Sequence, residues 1–562
     1  MRRNHFISVL WLAGMAMTLG TTLGVSVAQE RSQGRSMVMS RGGIVAAESP
    51  LAAQAGAMVL ARGGSAADAA VAANAAMGVV SPMMNGIGGD LFAIVYDAKT
   101  AKLYGLNASG WAPAALTPEF LRAQDIREMP QGGIHSVTVP GAVDGWSKLV
   151  ERFGRLKLSD DLAGAARLAG EGFPVTEWVS AYWSEDEARV RGDAQAAKTF
   201  LPGGHAPKAG ELFRNPDLAA SLRQIGAQGR DAYYQGEIAQ RIVAASERLG
   251  GTMTAADLAG YSAEWVEPIS TTYRGWTVYE MPPNGQGLAA LMMLNLMERF
   301  SFVDAGHNSA DVLHIDIEAK KLAYADLVRY IGDPKFSKLP VADLLSKDRA
   351  SVRVSEIDSQ HAHCDVAAGK LPARAGDTTY LTVVDKDGNM VSLIQSNYDS
   401  FGSGIVADGT GFALHNRGAL FTLDATSPNV LAGHKRPLHT IIPAMMEKNG
   451  VRIAFGIMGG WNQSQAHAQF VSNVVDFGMN IQAALEAPRF SKHSFGGCDV
   501  EIEKRIPADV RAALESRGHK LQVRGDYSSS MGGGQAVLRD SARGVNFGAS
   551  DPRKDGAAIP EP

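Results

Sequence analysis

Residues 376–396 read Gly376-Asp377-Thr378-Thr379-Tyr380-Leu381-Thr382-Val383-Val384-Asp385-Lys386-Asp387-Gly388-Asn389-Met390-Val391-Ser392-Leu393-Ile394-Gln395-Ser396. Two β-rich runs, 379–384 and 390–396, flank a polar turn, and Asp-Gly between such runs predicts a β-hairpin. A three-residue loop, Lys386-Asp387-Gly388, places Ser396 opposite Thr378. A two-residue loop, Asp387-Gly388, places it opposite Thr379. Either register brings a hydroxyl of the second strand beside the one that begins the first.

Upstream of the hairpin the periodicity fades from Ser359 to Asp377 into a polar surface connection. Thr378 therefore sits at a junction where a cut costs the fold little. His361-Ala362-His363-Cys364 within it has metal-ligand residue types, but no second ligand pair at metal-site spacing accompanies it, so it reads as a solvated loop and no metal or cofactor is expected. Further back, helices are predicted over Leu51–Arg62, Ala66–Met77, Gly285–Phe300 and Val312–Tyr330, and a buried strand over Phe92–Tyr96. The middle, about Gly141 to Arg329, reads as mainly helical. Val143, Trp146, Leu149, Val150 and Phe153 recur there at helical spacing as a core-facing stripe.

The 562 residues suffice for one large or two ordinary domains. A net charge of −4 leaves no electrostatic footprint for nucleic acid or an anionic membrane. Cys364 and Cys498 are the two cysteines, open to one disulfide or two thiols. At the N-terminus, Arg2 and Arg3 precede an apolar stretch from Phe6 to Val27, and Ser26-Val27-Ala28 offers small residues before Gln29. That pattern predicts a signal peptide over residues 1–28, against a retained membrane anchor as the competing reading. The mature protein is expected to be soluble, in the periplasm or secreted.

The stretch 376–389 closely resembles the start of the small subunit in the γ-glutamyltransferase family (γ-glutamyltranspeptidase, or glutathione hydrolase). The resemblance continues through Phe401-Gly402-Ser403-Gly404-Ile405-Val406, Lys435-Arg436-Pro437-Leu438, Gly459-Gly460, Met531-Gly532 and Gly548-Ala549-Ser550-Asp551-Pro552-Arg553. In the first half it takes in Gly63-Gly64-Ser65-Ala66-Ala67-Asp68, Gly86-Ile87-Gly88-Gly89, Val139-Pro140-Gly141, Met281-Pro282-Pro283 and Leu322-Ala323-Tyr324-Ala325-Asp326. No single motif decides; the ordered set, spanning nearly the whole mature chain, does.

The resemblance implies an α+β fold, a four-layered αββα sandwich of the N-terminal-nucleophile hydrolase type. It implies a precursor that cuts itself before Thr378, giving a large subunit, residues 29–377, and a small catalytic subunit, residues 378–562, within one globule. A threonine hydroxyl is a poor nucleophile without a nearby base. Freeing the α-amino group of Thr378 supplies one, with an unperturbed pKa of about 7.7–8.0. Ser396 is expected to orient the hydroxyl, and Gly459 and Gly460 match the family's oxyanion-hole glycines. Asn416 and Thr440 fall in stretches that line the family's pocket.

Specificity departs from the family. The Arg that clamps a γ-glutamyl carboxylate falls on Ser109, and the Asp that holds its amino group falls near Leu420. The paired serines become His439-Thr440, and Arg417 offers a bidentate carboxylate partner in compensation. These changes resemble the branch with cephalosporin-acylase-like proteins and oxamate amidohydrolases. The expected function is hydrolysis or transfer of a γ-glutamyl or related acyl group to water or an amine acceptor. An amidase for another acyl group is the alternative, and a non-catalytic periplasmic binding protein the second. No G-x-S-x-G nucleophile elbow supports an α/β serine hydrolase.

Overall fold

The computed structural model describes residues 33–366 and 376–562. The expected leader and its cleavage site lie outside the described residues. Among those described, no helix is long and apolar enough to cross a membrane.

Fourteen strands build two seven-stranded sheets. They are β1 (Val38–Ser40), β2 (Ile44–Ala47), β3 (Asp90–Asp97), β4 (Lys102–Ala108), β5 (Glu264–Val266), β6 (Ile269–Tyr273), β7 (Trp276–Glu280), β8 (Asp377–Val384), β9 (Met390–Tyr398), β10 (Ala444–Lys448), β11 (Val451–Ile457), β12 (Gly534–Asp540), β13 (Val545–Ser550) and β14 (Ala557–Pro560). The first sheet runs β14-β2-β8-β9-β3-β4-β5 and the second β1-β13-β12-β11-β10-β7-β6. Both draw strands from before and after residue 377, so neither half of the chain makes a sheet alone.

The predicted hairpin is β8 and β9, buried along their whole length at the centre of the first sheet. Side chains alternate between two cores, as the period of two requires. Leu381, Val383, Val391 and Leu393 face an Ala-rich helical layer that includes α1 (Pro50–Ala61), α2 (Ala66–Val80) and α3 (Ala142–Phe153). Tyr380, Val384, Met390 and Ile394 instead meet Met445, Ala454 and Val537 of the second sheet. The far face of that sheet packs on α5 (Gly287–Met297), α6 (Ala310–Tyr330) and α7 (Gln463–Val475), with α4 (Glu177–Glu185) lying earlier in the chain. Small residues let these layers approach. Helix α2 is buried all round, and Ser65 caps it in a reciprocal box with Asp68.

The helices stand within a few residues of their predicted ends. The middle of the chain needs a correction, because it also supplies β5, β6 and β7. Ile269-Ser270-Thr271-Thr272-Tyr273 and Trp276-Thr277-Val278-Tyr279-Glu280 are β-branched and aromatic runs joined at Arg274-Gly275. Both turn residues take positive φ, 47° and 82°, as a two-residue hairpin turn demands. The cysteines are paired: Cys364 and Cys498 form a disulfide with Cα atoms 5.0 Å apart.

The contact between sheets is tight where Tyr380 crosses to β11. A Cβ on Gly456 would lie 2.4 Å from the Tyr380 ring. Gly456→Ala is therefore expected to destabilise the fold by about 1–3 kcal/mol through overpacking. Thermal unfolding checks this, and an unchanged Tm would contradict the close approach.

Candidate active site

Asp385 closes the hairpin. Its N–H donates to the Asn389 carbonyl at 3.0 Å, and its carboxylate accepts the N–H groups of Asp387 and Asn389. The loop is thus Lys386-Asp387-Gly388, the three-residue alternative. Thr379 pairs with Gln395, which puts Ser396 next in line for Thr378. The register then slips, and Asp377 pairs with Tyr398. Thr378 consequently faces two residues, Ser396 and Asn397, in a β-bulge, a device that re-aims side chains at a strand end.

The bulge assembles a short hydrogen-bonded chain. Thr378 Oγ1 donates to Ser396 Oγ at 3.3 Å, and Ser396 Oγ donates to the Asp377 carbonyl oxygen at 2.5 Å. The Tyr398 N–H donates to the same Ser396 oxygen at 2.7 Å, fixing the serine rotamer. Thr378 and Ser396 are fully buried. The Asp377 carboxyl accepts from Tyr182 Oη at 2.8 Å, and burial raises its pKa to about 7.

Gly459 and Gly460 follow β11 and turn the chain into α7. Their φ angles are 126° and 57°, in the region that favours glycine. A Cβ on Gly376 would lie 3.4 Å from the Gly460 Cα, so the paired glycines abut the backbone two residues before Thr378. Gln286 Nε2 ties the turn down through the Gly460 carbonyl at 2.7 Å and the Thr440 carbonyl at 2.5 Å.

A buried charge cluster stands on the other side of Ser396. Asp90 of β3 pairs with Ser396 in register. Its Oδ2 lies 2.8 Å from His439 Nε2, 3.0 Å from His415 Nδ1 and 3.3 Å from Arg417 Nε. Burial works to raise the Asp90 carboxyl, but the neighbouring imidazoles of His415 and His439 outweigh it and hold it well below the usual carboxylate range. Burial, helped by the charge of Arg417, lowers His439 to about 3, so its ring is neutral at pH 7. Arg417 is a fixed cation of the group. Its Nη1 donates to Thr440 Oγ1 at 2.8 Å, its guanidinium lies 4.7 Å from the centre of the Tyr398 ring, and its Nη2 has no hydrogen-bond partner among the described residues.

Arg417, His439 and Thr440 are thus brought together beside Ser396. Asn416 has a different environment. Its Nδ2 donates to the Gln131 carbonyl and to Asp399, and its Oδ1 accepts the Asp399 N–H, so its amide braces the loop from 399 to 416. The two clamp positions are uncharged and buried. Ser109 Oγ donates to Asn107 Oδ1 at 2.6 Å, and Leu420 belongs to the core behind the second sheet. Asp90 and His415 escaped the sequence reading. The nearest signal was Gly86-Ile87-Gly88-Gly89, which runs directly into Asp90; nothing in spacing links Asp90 to histidines more than 300 residues on.

Among the described residues, His314, Glu318 and His519 have the composition of metal ligands. His314 Nδ1 lies 2.8 Å from His519 Nε2 and Lys321 Nζ lies 2.6 Å from Glu318, while His519 Nδ1 has no hydrogen-bond partner among the described residues. His363 meets this cluster through its backbone N–H, which donates to Glu318 at 3.3 Å.

A family model described as gamma-glutamyltranspeptidase matches residues 52–561. The chain is 37% identical over 514 residues to the glutathione hydrolase-like YwrD proenzyme of Bacillus subtilis, covering 91% of this chain and 96% of that protein. It is 34% identical over 536 residues to the oxamate amidohydrolase proenzyme of Klebsiella pneumoniae, covering 92% of this chain and 98% of that one. The crystal structure of cephalosporin acylase from Bacillus halodurans matches with a TM-score of 0.88 at 44% identity, over 93% of this chain and 97% of that one. The chain therefore belongs to the gamma-glutamyltranspeptidase family, a family of self-processing proenzymes, and it is an enzyme of the hydrolase type.

Proposed function

We propose that Thr378 is the nucleophile both of self-cleavage and of turnover, in an amidohydrolase that works through a threonine acyl-enzyme. One observation carries this: Thr378, Ser396 and the Asp377 carbonyl form a single buried hydrogen-bonded chain. In the precursor, Thr378 Oγ attacks the Asp377 carbonyl carbon. Its proton passes to Ser396, whose own proton goes to the developing oxyanion. The intermediate then collapses: the C–N bond breaks, the proton held on the intermediate's oxygen passes to the nitrogen, which becomes the free Thr378 amine, and Asp377 is left as an ester on Thr378 Oγ. Water hydrolyses that ester to the Asp377 carboxylate and the Thr378 hydroxyl, leaving Thr378 with its amine free.

The cut leaves residues 29–377 and 378–562 as two subunits of one globule. We read its two facing sheets and their outer helices as a four-layered αββα sandwich, and residues 1–28 as a leader for export to the periplasm or medium. In the mature enzyme the freed amine takes the Oγ proton, directly or through a water, and no separate histidine base is required. Gly459 and Gly460 supply the backbone N–H groups for the tetrahedral oxyanion.

The acyl group is assigned by charge. With Ser109 and Leu420 at the clamp positions, no fixed charges there select the α-carboxylate and α-amino group of a γ-glutamyl moiety. Arg417, stacked on Tyr398 with one nitrogen unpartnered, is the partner for an acyl carboxylate, and His439 and Thr440 set its direction. Amide hydrolysis of a carboxylate-bearing acyl group is thus favoured over γ-glutamyl transfer. The relatives named for cephalosporin acylase and oxamate amidohydrolase support this branch of the family.

Mass spectrometry of the purified protein should find a fragment beginning at Thr378, and Thr378→Ala should remain whole. A Thr378→Ala chain cut at the same bond would overturn the assignment. Because Cys364 and Cys498 fall on opposite sides of the cut, the processed protein should run as one band without reductant and as two with it. For a glutaryl amide, Arg417→Lys should raise KM about tenfold or more, on the scale of a lost charge-assisted hydrogen bond. An acetyl amide should change by no more than about twofold, with Tm as the folding control; equal losses on both would contradict the carboxylate role.

A further inference from the structure

The segment that leads into Thr378 is gripped by its side chain as well as by its backbone. Asp377 is nearly buried, and Tyr182 Oη donates to its carboxyl at 2.8 Å. Tyr182 stands on α4 one turn from Trp178, and the two rings stack with centroids 4.8 Å apart. Lys554 lies against both, its Nζ 3.8 Å from the centre of the Trp178 ring and 5.0 Å from that of Tyr182. That ammonium is buried and makes no hydrogen bond among the described residues. A Cβ on Gly533 would lie 2.2 Å from the Lys554 stem, so the chain leaves room for this lysine at a position where only glycine fits. The same helix is tied to the Lys554 loop by Thr176 Oγ1, which donates to Asp555 at 2.5 Å.

We propose that Tyr182, braced by Trp178 and Lys554, is a positioning residue for self-cleavage: by holding the Asp377 side chain it fixes the Asp377 carbonyl against Ser396. The inference rests on Thr378 being the residue that attacks that carbonyl. No bond is made or broken by the clamp. Its work is geometric, since a displacement of about 1 Å in a reacting group costs on the order of 10²-fold in rate. Ser396 bonds the carbonyl of the same residue whose side chain Tyr182 holds, so a released carboxyl lets the carbonyl rotate away.

The clamp is also pH-sensitive. The groups that face Asp377 are Tyr182, Lys554, Asp399 and Asp186, and Lys554 in turn faces Glu48, Asp551 and Asp555. Burial raises Asp377 to about 7 and lowers Lys554 to about 8. As pH rises through the first value, Asp377 ionises and the Tyr182 bond becomes charge-assisted, which tightens the clamp. As pH rises through the second, Lys554 and its buried neighbour Glu48, which burial raises to the same value, lose protons together and the brace weakens. Cleavage should therefore be fastest between the two.

The test follows conversion of full-length precursor, made by cell-free translation, into its two fragments between about pH 6 and pH 9. Tyr182→Phe should lengthen the half-time roughly tenfold near neutral pH, Lys554→Met should remove the alkaline limb, and Asp377→Asn should remove the acid limb. A purely structural role would lower Tm without reshaping the pH profile. Should Tyr182→Phe lose its thermal transition, Trp178→Leu carries the same comparison. Cleavage of Tyr182→Phe within about twofold of wild type at every pH, while Thr378→Ala stays whole, overturns the clamp alone. Cleavage of Thr378→Ala overturns the nucleophile assignment beneath it.

Discussion

Ser396 has one hydroxyl proton, and it points at the Asp377 carbonyl 2.5 Å away. Much of the surrounding structure exists to hold that proton there. The Tyr398 N–H occupies the serine oxygen from one side and Thr378 Oγ1 approaches from another, so the rotamer is fixed. The β-bulge between Asp377 and Thr379 lets a strand residue and the carbonyl before it face the same neighbour. A regular ladder cannot do this, because successive residues point to opposite faces of the sheet. Burial between two sheets then removes the water that would otherwise compete for each bond.

Charge is distributed around this chain with similar economy. Asp90, adjacent to Ser396 across the strand pair, is kept ionised by His415, His439 and Arg417, while His439 itself stays neutral. The site therefore holds a buried carboxylate beside a guanidinium whose outer nitrogen has no hydrogen-bond partner among the described residues. A buried, partly unpaired cation is costly unless a partner arrives. That cost is the physical basis for assigning the acyl carboxylate to Arg417, since Ser109 and Leu420 leave no charge at the positions where the family resemblance placed them. On the opposite flank, Tyr182 bonds the Asp377 carboxyl and Lys554 lies against the Tyr182 ring.

The hairpin was legible from residues 376–396 because an Asp-Gly turn and period-two alternation both specify it. Two loop lengths fit the sequence, and Asp385 selects one of them by bonding Asn389. The Ala-rich helices were legible for the same local reason. Strands β6 and β7 were hidden inside a region whose long stretches are helical, although Arg274-Gly275 marks their turn. The bulge had no local signal, since it depends on Tyr398 and Asp377 meeting across a sheet. The cluster of Asp90, His415 and His439 was equally invisible, for it is assembled only when β3 pairs with β9. Asn416 stood in the right neighbourhood, but its amide is engaged by Asp399 and Gln131, a fact that no single stretch of sequence contains.

The central claim is that one threonine oxygen carries the acyl group during turnover. Acid-quenching the processed enzyme while it hydrolyses an amide substrate, then weighing the small fragment and sequencing its N-terminal peptide by mass spectrometry, tests this most directly. The account predicts a mass increase equal to the acyl group, held as an ester on the first residue, Thr378. An acyl group found on any other side chain, or steady turnover with Thr378 never labelled, would contradict it.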